Sequence, residues 1–432
     1  MDRNNNVIEL TGRYGNAKVF ADIIEEEAIS QIITLLNQPF TENSKIRIMP
    51  DVHAGKGCTI GFTANLGDKI IPNLVGVDIG CGILCVPLGK VDIDFKKLDK
   101  IIRDLIPYGF EINKSIYRSP YIKQNLWADL RNMYCYKDVI GSDSRLEKVL
   151  TYIPSLGGGN HFIEVDKDEF DNKYLLIHTG SRHLGLDVCK YYQRLAEKTY
   201  ITPDINSLIE DLKRQGKESE IEASIKEFKK INPTIPKDLR YLSGRYRDEY
   251  IHDMKIVQRF AFFNRYFIAE KIIENLFANC KVQMSIAGKI KIKLKGIIDT
   301  NEQWFDTIHN YIGDDNIIRK GAISATLNEK VCIPINMRDG CIIGYGKGNE
   351  DYNNSAPHGA GRIMSRSKAK SELDLSEYAN SMNGIYSTCI NESTLDECPQ
   401  AYKGIDSIIN NIEPTVNIDT IIKPIYNFKA GN

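Results

Sequence analysis

Neither sign of charge is in excess: 56 Lys and Arg face 57 Asp and Glu, a formal net charge of -1 at pH 7. That balance excludes a general polycation, so a nucleic-acid partner would have to be held by a local basic patch. No apolar run is long enough to cross a bilayer, and the opening MDRNNNVIELTGRYG lacks the apolar stretch of a secretory signal. A cytoplasmic chain with no membrane partner is therefore expected. The ten cysteines form no CxxC pair and no dense framework, which in a reducing compartment argues for free thiols rather than disulfides. Internal repeats and low-complexity linkers are also missing.

What is present suits a large globular core: 42% of the 432 residues are hydrophobic and 26% charged. Short β-type runs end in Gly-rich turns at KIRIMPDVHAGKG, CGILCVPLG, GGGNHFIEV and YLLIHTGSRHLG, and each places a His, Cys or Asp at a strand end. Rigid scaffolds usually offer functional groups to a cleft from such ends. From about 205 to 278 the pattern turns helical, with Ile221, Ile225 and Phe228 on one stripe and INPTIPKD between helices. β character returns in KIKIKLKGIID and in VCIPINMRDGCIIGYG, where Asp339-Gly340 predicts a hairpin turn. The expected architecture is a mixed α/β (α+β) single domain over 1–432, a β core flanked by helices with a helical middle segment.

Seven histidines are few, and five of them stand beside turn-forming residues: His53, His161, His178, His309 and His358. One such imidazole alone reads as a hydrogen-bonded structural group; five together point to a site. VGVDIGCGI adds Asp78 and Cys81 in a glycine-flanked turn. A thiolate, a carboxylate and several imidazoles make a transition-metal donor set that admits zinc or manganese, and a bridging thiolate would suit two ions.

SAPHGAGRIMSRSKAK sets His358 in a glycine run ahead of Arg362, Arg366, Lys368 and Lys370. Glycines there and in SLGGGNHF would let backbone N–H groups approach phosphate oxygens. Trp127, Trp304 and RFAFFNRYF read as core packing, the mixed-sign run EDLKRQGKESEIEASIKEFKK as solvated helix surface, and Cys85, Cys189 and Cys280 as buried small apolar residues.

Taken in order, MPDVHAGKG, GVDIGCG, GGGNHFIEV, HTGSRHLG, FAFFNR, HNY, RKGAISA, HGAGRIMSR, AYKGID and a terminal FKAG resemble the RtcB family of GTP-dependent RNA ligases. The resemblance implies a single-domain fold peculiar to that family. It also implies joining of RNA 2′,3′-cyclic phosphate or 3′-phosphate ends to 5′-hydroxyl ends, with GTP and two Mn2+ ions, in RNA repair or tRNA splicing. By that resemblance His358 is the guanylylated residue. Asp78, Cys81, His161, His178 and His309 are the metal ligands, with Cys81 bridging, Asp78 and His161 on one ion and His178 and His309 on the other. Nucleotide contacts would fall on Asn160, Glu164, Asn310, Ala360, Gly361, Tyr402 and Lys429, and RNA phosphates on Arg182, Arg362 and Arg366. Archease is implied as an activating partner, and the chain is expected to be a monomer.

Where the family shows Pro-Gly-Ser-Met and a further Ser in its guanine pocket, PINMRDGC places Asn336 and Cys341, which marks a divergent branch. Asp51 and His53 sit in a matching motif with no assigned role. Two other readings use part of the same residue set. A metal-dependent phosphodiesterase or phosphatase acting on RNA ends would need the metal donors but not His358, and a non-catalytic RNA-end binder would need only the arginines.

Overall fold

A computed structural model describes residues 7–22, 24–200, 205–231, 234–277 and 304–430. KIKIKLKGIID and Cys280 lie outside them.

Two sheets carry the architecture. One has six strands in the order Ile8–Thr11, Asn16–Val19, Ile46–His53, Ile60–Ala64, Ile318–Lys320 and Asn310–Ile312. The other has seven, Lys330–Asn336, Gly340–Gly346, Val416–Lys429, Phe162–Lys167, Lys173–Thr179, Gly82–Gly89 and Phe305–Ile308, all antiparallel. The strand Gly82–Gly89 reads as a continuous apolar run because it is paired on both sides and buried along nearly its whole length. Residues 305–312 pass from the second sheet to the first, and His309 is the residue between the two strands.

The 205–278 segment is helical where described: Ile205–Arg214, Ile221–Ile231 and a 33-residue helix Gly244–Leu276. Helix also occupies parts of the first half, including Phe95–Leu105, Asp143–Leu150 and Arg182–Thr199. FKKLDKIIRDL shows why: Leu98, Ile101 and Ile102 fall on one buried face, and the Asp94 side chain caps the start by accepting from Lys97 N–H. The largest buried cluster joins Ile48 and Phe62 of the first sheet, Ile177 of the second, and Phe260 and Ile268 of the long helix.

That helix also reaches the strand ends where the histidines sit. Arg265, fully buried, grips Asp306 through two 2.7 Å bonds and donates to the carbonyls of Gly80 (2.9 Å) and Thr179 (2.7 Å). Asn264 holds Ser155 from both sides, accepting from its N–H at 2.8 Å and donating to its carbonyl at 2.9 Å. FAFFNR is thus more than core packing, since its two polar residues clamp the loops on which the donors are mounted.

The hairpin in VCIPINMRDGCIIGYG pairs Asn336 with Gly340, so the turn is Met337–Asp339 and Gly340 opens the next strand at φ +83°. Asn336 organises it, accepting from the N–H groups of Arg338 and Asp339 and donating to Asp339 Oδ2.

Candidate metal and nucleotide site

The acid and the thiol come from one turn. Asp78 and Cys81 precede the strand Gly82–Gly89, and Cys81 N–H closes the turn on the Asp78 carbonyl at 3.1 Å. Asp78 Oδ1 accepts from the N–H (2.9 Å) and hydroxyl (3.1 Å) of Ser181. The approach needs Gly180, where a Cβ would lie 2.2 Å from the same oxygen.

Three imidazoles converge on the thiol. His161 Nε2 and His178 Nε2 each stand 3.5 Å from Cys81 Sγ, and His161 Nε2 lies 3.3 Å from Asp78 Oδ2. His161 Nδ1 meets the Leu156 carbonyl at 3.0 Å and His178 Nδ1 the Asn160 carbonyl at 3.2 Å. A carbonyl only accepts, so the network places a proton on Nδ1 in both rings and turns their Nε2 atoms toward the sulfur. His309 is held by its backbone, its N–H donating to the Cys81 carbonyl at 3.0 Å. The donor atoms fall into two groups that share Cys81: Asp78 and His161 in one, His178 and His309 in the other.

This set fits a divalent ion. A sulfur and an imidazole nitrogen on one tetrahedral ion stand roughly 3.6 Å apart, close to the spacing of these side chains. Burial, and then the neighbouring imidazoles, push His178 and His309 well below the usual histidine range, which keeps them neutral and able to donate a lone pair. Burial, with Asp78 adding to it, pushes the Cys81 thiol well above its own range.

His358 follows the short strand Ser355–Pro357, which pairs with Ala322–Ser324, and its ring centroid lies 4.7 Å from that of His309. Asp51, buried on the strand Ile46–His53, meets His358 twice: Oδ2 is 2.5 Å from Nδ1 and accepts the backbone N–H at 3.2 Å. The carboxylate accepts from Nδ1–H and so fixes the orientation of the ring. Gly361, at φ +72°, lets the chain turn against Asp51, since a Cβ there would fall 2.9 Å from the Asp51 Cα.

A cavity of about 280 Å³ contains these groups. Also lining it are Asn160, Glu164, Asn310, Asn336, Ala360, Gly361, Arg362, Arg366, Tyr402 and Lys429, together with His53 and Asn427. Two residues of the expected set lie elsewhere. Cys341 is fully buried behind the cavity with Cys332 and Ile343, because its strand turns that face into the sheet core. Arg182 lies in an adjoining cavity that shares only Asp78 and His161 with the first.

Glu397 was not apparent from sequence. It is buried, and its carboxylate pairs with Lys429 at 2.5 Å, Arg366 at 2.5 Å and Arg362 at 3.2 Å while accepting from the Tyr402 hydroxyl at 2.6 Å. Asp396 adds a 2.7 Å bond to Arg366. The two acids in LDECPQAYKGID, just ahead of Tyr402, were the available signal. On the strand Phe162–Lys167, Glu164 and Asp166 share a buried face, and Asn427 donates to Glu164. Burial pushes Glu164 up to about 7, and burial together with Glu164 pushes Asp166 well above the carboxylate range.

Two groups of potential metal donors joined by one thiol, a histidine oriented by a buried carboxylate and a bank of cations make a donor set whose chemistry suits phosphate groups. The chain belongs to the RtcB family: the family model described as tRNA-splicing ligase RtcB matches residues 31–430. It is 29% identical over 407 residues to RNA-splicing ligase RtcB of Escherichia coli K12, covering 89% of this chain and 90% of that protein. It is 26% identical over 437 residues to tRNA-splicing ligase RtcB of Aeropyrum pernix, covering 84% and 82%.

Proposed function

We propose that this RNA ligase joins RNA 2′,3′-cyclic phosphate or 3′-phosphate ends to 5′-hydroxyl ends through a guanylylated His358, using GTP and manganese. The observation that carries it is the His358–Asp51 pair set 4.7 Å, ring to ring, from His309 of the metal donor set. A phosphodiesterase or phosphatase would not need that imidazole as a covalent carrier.

His358 Nε2 attacks the α-phosphorus of GTP: an N–P bond forms, the P–O bond to pyrophosphate breaks, and the imidazole becomes cationic. Asp51, already bonded to Nδ1–H, balances that charge. An oxygen of the RNA 3′-phosphate then attacks the same phosphorus and releases neutral His358. The 5′-hydroxyl finally attacks the RNA phosphorus, expels GMP and loses its proton to solvent; a cyclic phosphate is first opened by water. GMP makes an acceptable leaving group where the bare 3′-phosphate has none, which is why a covalent relay splits the task. Divalent ions held by Asp78, Cys81, His161, His178 and His309 would neutralise phosphate charge. Arg362, Arg366 and Lys429 bind phosphate oxygens once these displace the Glu397 contacts, and Glu164 accepts from the base edge. By family resemblance the chain works as a single domain and a monomer in the cytoplasm, with archease as activator, in RNA repair or tRNA splicing.

Incubation with α-labelled GTP and Mn2+ tests the reading. Wild type should take up an acid-labile, alkali-stable label that His358→Ala does not; absence of label across metals and nucleotides overturns it. ATP in parallel reads base selectivity.

A further inference from the structure

A third group of metal-type donors lies outside the centre just described. Glu164 and Asp166 on the strand Phe162–Lys167 and Cys341 on the strand Gly340–Gly346 bring two carboxylate oxygens and a sulfur within 4.8 Å of one another. The strand Val416–Lys429 runs between those two, pairing Ile422 with Cys341 and Pro424 with Asp166. The group therefore ties together strands that are not neighbours in the sheet. All three residues are buried, Asp166 and Cys341 completely.

Hydrogen bonding leaves Asp166 unexplained. Both of its oxygens are buried with no hydrogen-bond partner among the described residues, although a buried carboxyl normally finds at least one. The packing around Cys341 is apolar, with Ile83, Phe162, Leu176, Ile343 and Ile422 in one cluster. Cys332 belongs to that cluster too, and after burial it is the main influence pushing the Cys341 thiol well above its ordinary range. Without a metal the two acids avoid charge by keeping their protons, since burial raises both. A divalent ion reverses that balance, because it stabilises carboxylates and deprotonates a coordinating thiol.

We infer that Glu164, Asp166 and Cys341, completed by Cys332, form a structural zinc site behind the nucleotide cavity. Two carboxylates and two thiolates make a closed four-donor set, and zinc takes sulfur and oxygen together where magnesium and calcium take oxygen alone. Donors on one tetrahedral zinc stand roughly 3.5 Å apart, so side-chain shifts of about an ångström close the group on the ion. Glu164 belongs both to this group and to the cavity lining. Zinc there pins its carboxylate at the cavity wall and locks the strands on either side of Val416–Lys429. The site stands independently of the ligase reading, whose failure would leave it intact.

The test uses the full chain, stripped with chelator, reloaded with Zn2+, passed through gel filtration and assayed for metal. Wild type should retain about one Zn2+ more per chain than either Asp166→Asn or Cys341→Ser. Melting temperature gives an independent reading. Stripped of metal, Asp166→Asn is the more stable because it relieves the clustered carboxyls, whereas added Zn2+ should raise wild type by more than either variant. Zinc taken up by the Cys81 centre is common to all three chains and cancels in both comparisons. Zinc content equal between wild type and either variant, or an equal zinc-induced rise in melting temperature, overturns the site. A wild-type chain that takes no label from GTP overturns the ligase reading instead, whatever its zinc content.

Discussion

Asp51 and His358 are 307 residues apart in the chain and 2.5 Å apart in space, carboxylate Oδ2 to imidazole Nδ1. The bond selects which ring nitrogen is free, and it supplies a negative charge where the ring becomes positive on phosphorylation. Asp51→Asn should keep the fold and lower single-turnover guanylylation by about a hundredfold to ten-thousandfold, read by label incorporation at saturating GTP.

Cys81 belongs to both donor groups, so its loss should be felt at both. Equilibrium dialysis of Cys81→Ala against Co2+ or Mn2+ should show both ions weakened, whereas His309→Ala should weaken one and leave the Asp78–His161 group binding. Two undiminished ions in Cys81→Ala would exclude a bridging thiolate.

Glu397 is the buried counter-charge of Arg362, Arg366 and Lys429. Glu397→Gln leaves these cations crowded and should cost about 3–5 kcal/mol of stability, measured by denaturant titration. Inorganic triphosphate, able to take the carboxylate's place, should raise the melting temperature of Glu397→Gln more than that of wild type. Lys429, then Arg366, hold Glu397 below the usual carboxylate range against the opposing effect of burial. The wild-type contribution is therefore present above the ordinary glutamate pKa and is lost as pH falls through the depressed one.

Glu164 and Asp166 have the opposite sign. Burial raises both, Glu164 to about 7, so the folded state holds more protons than the unfolded chain and stability falls as pH rises through that range. Asp166→Asn relieves the clustered charge. Its melting temperature should exceed that of wild type by more at pH 8 than at pH 5, and a gain equal at both would show that the two carboxyls do not interact.

Much of this site was legible because its donors sit in short glycine-flanked motifs at strand ends, where residue type and turn chemistry coincide. Asp78, Cys81, His161, His178, His309 and His358 were all named from such contexts. The clamp residues Asn264 and Arg265 were not, since in sequence they interrupt an apolar helical stripe and give no sign of the carbonyls they will meet. Glu397 was hidden for the same reason, being one acid among many until three cations surround it. Cys341 lies behind the cavity lining, since motif position does not say which face of a strand points into a cavity.

By itself the sequence determined the chemistry available: one thiol, one carboxylate and imidazoles in turns, a histidine in a glycine run, and arginines behind it. Tertiary structure decided how they combine. His309 reaches the site because the chain changes sheets at that residue, and Asn427 meets Glu164 while Lys429 enters the same cavity because the strand Val416–Lys429 inserts next to Phe162–Lys167. Spacing along the chain cannot encode such neighbours, because non-local strand order is set by burial of the whole core rather than by any local pattern.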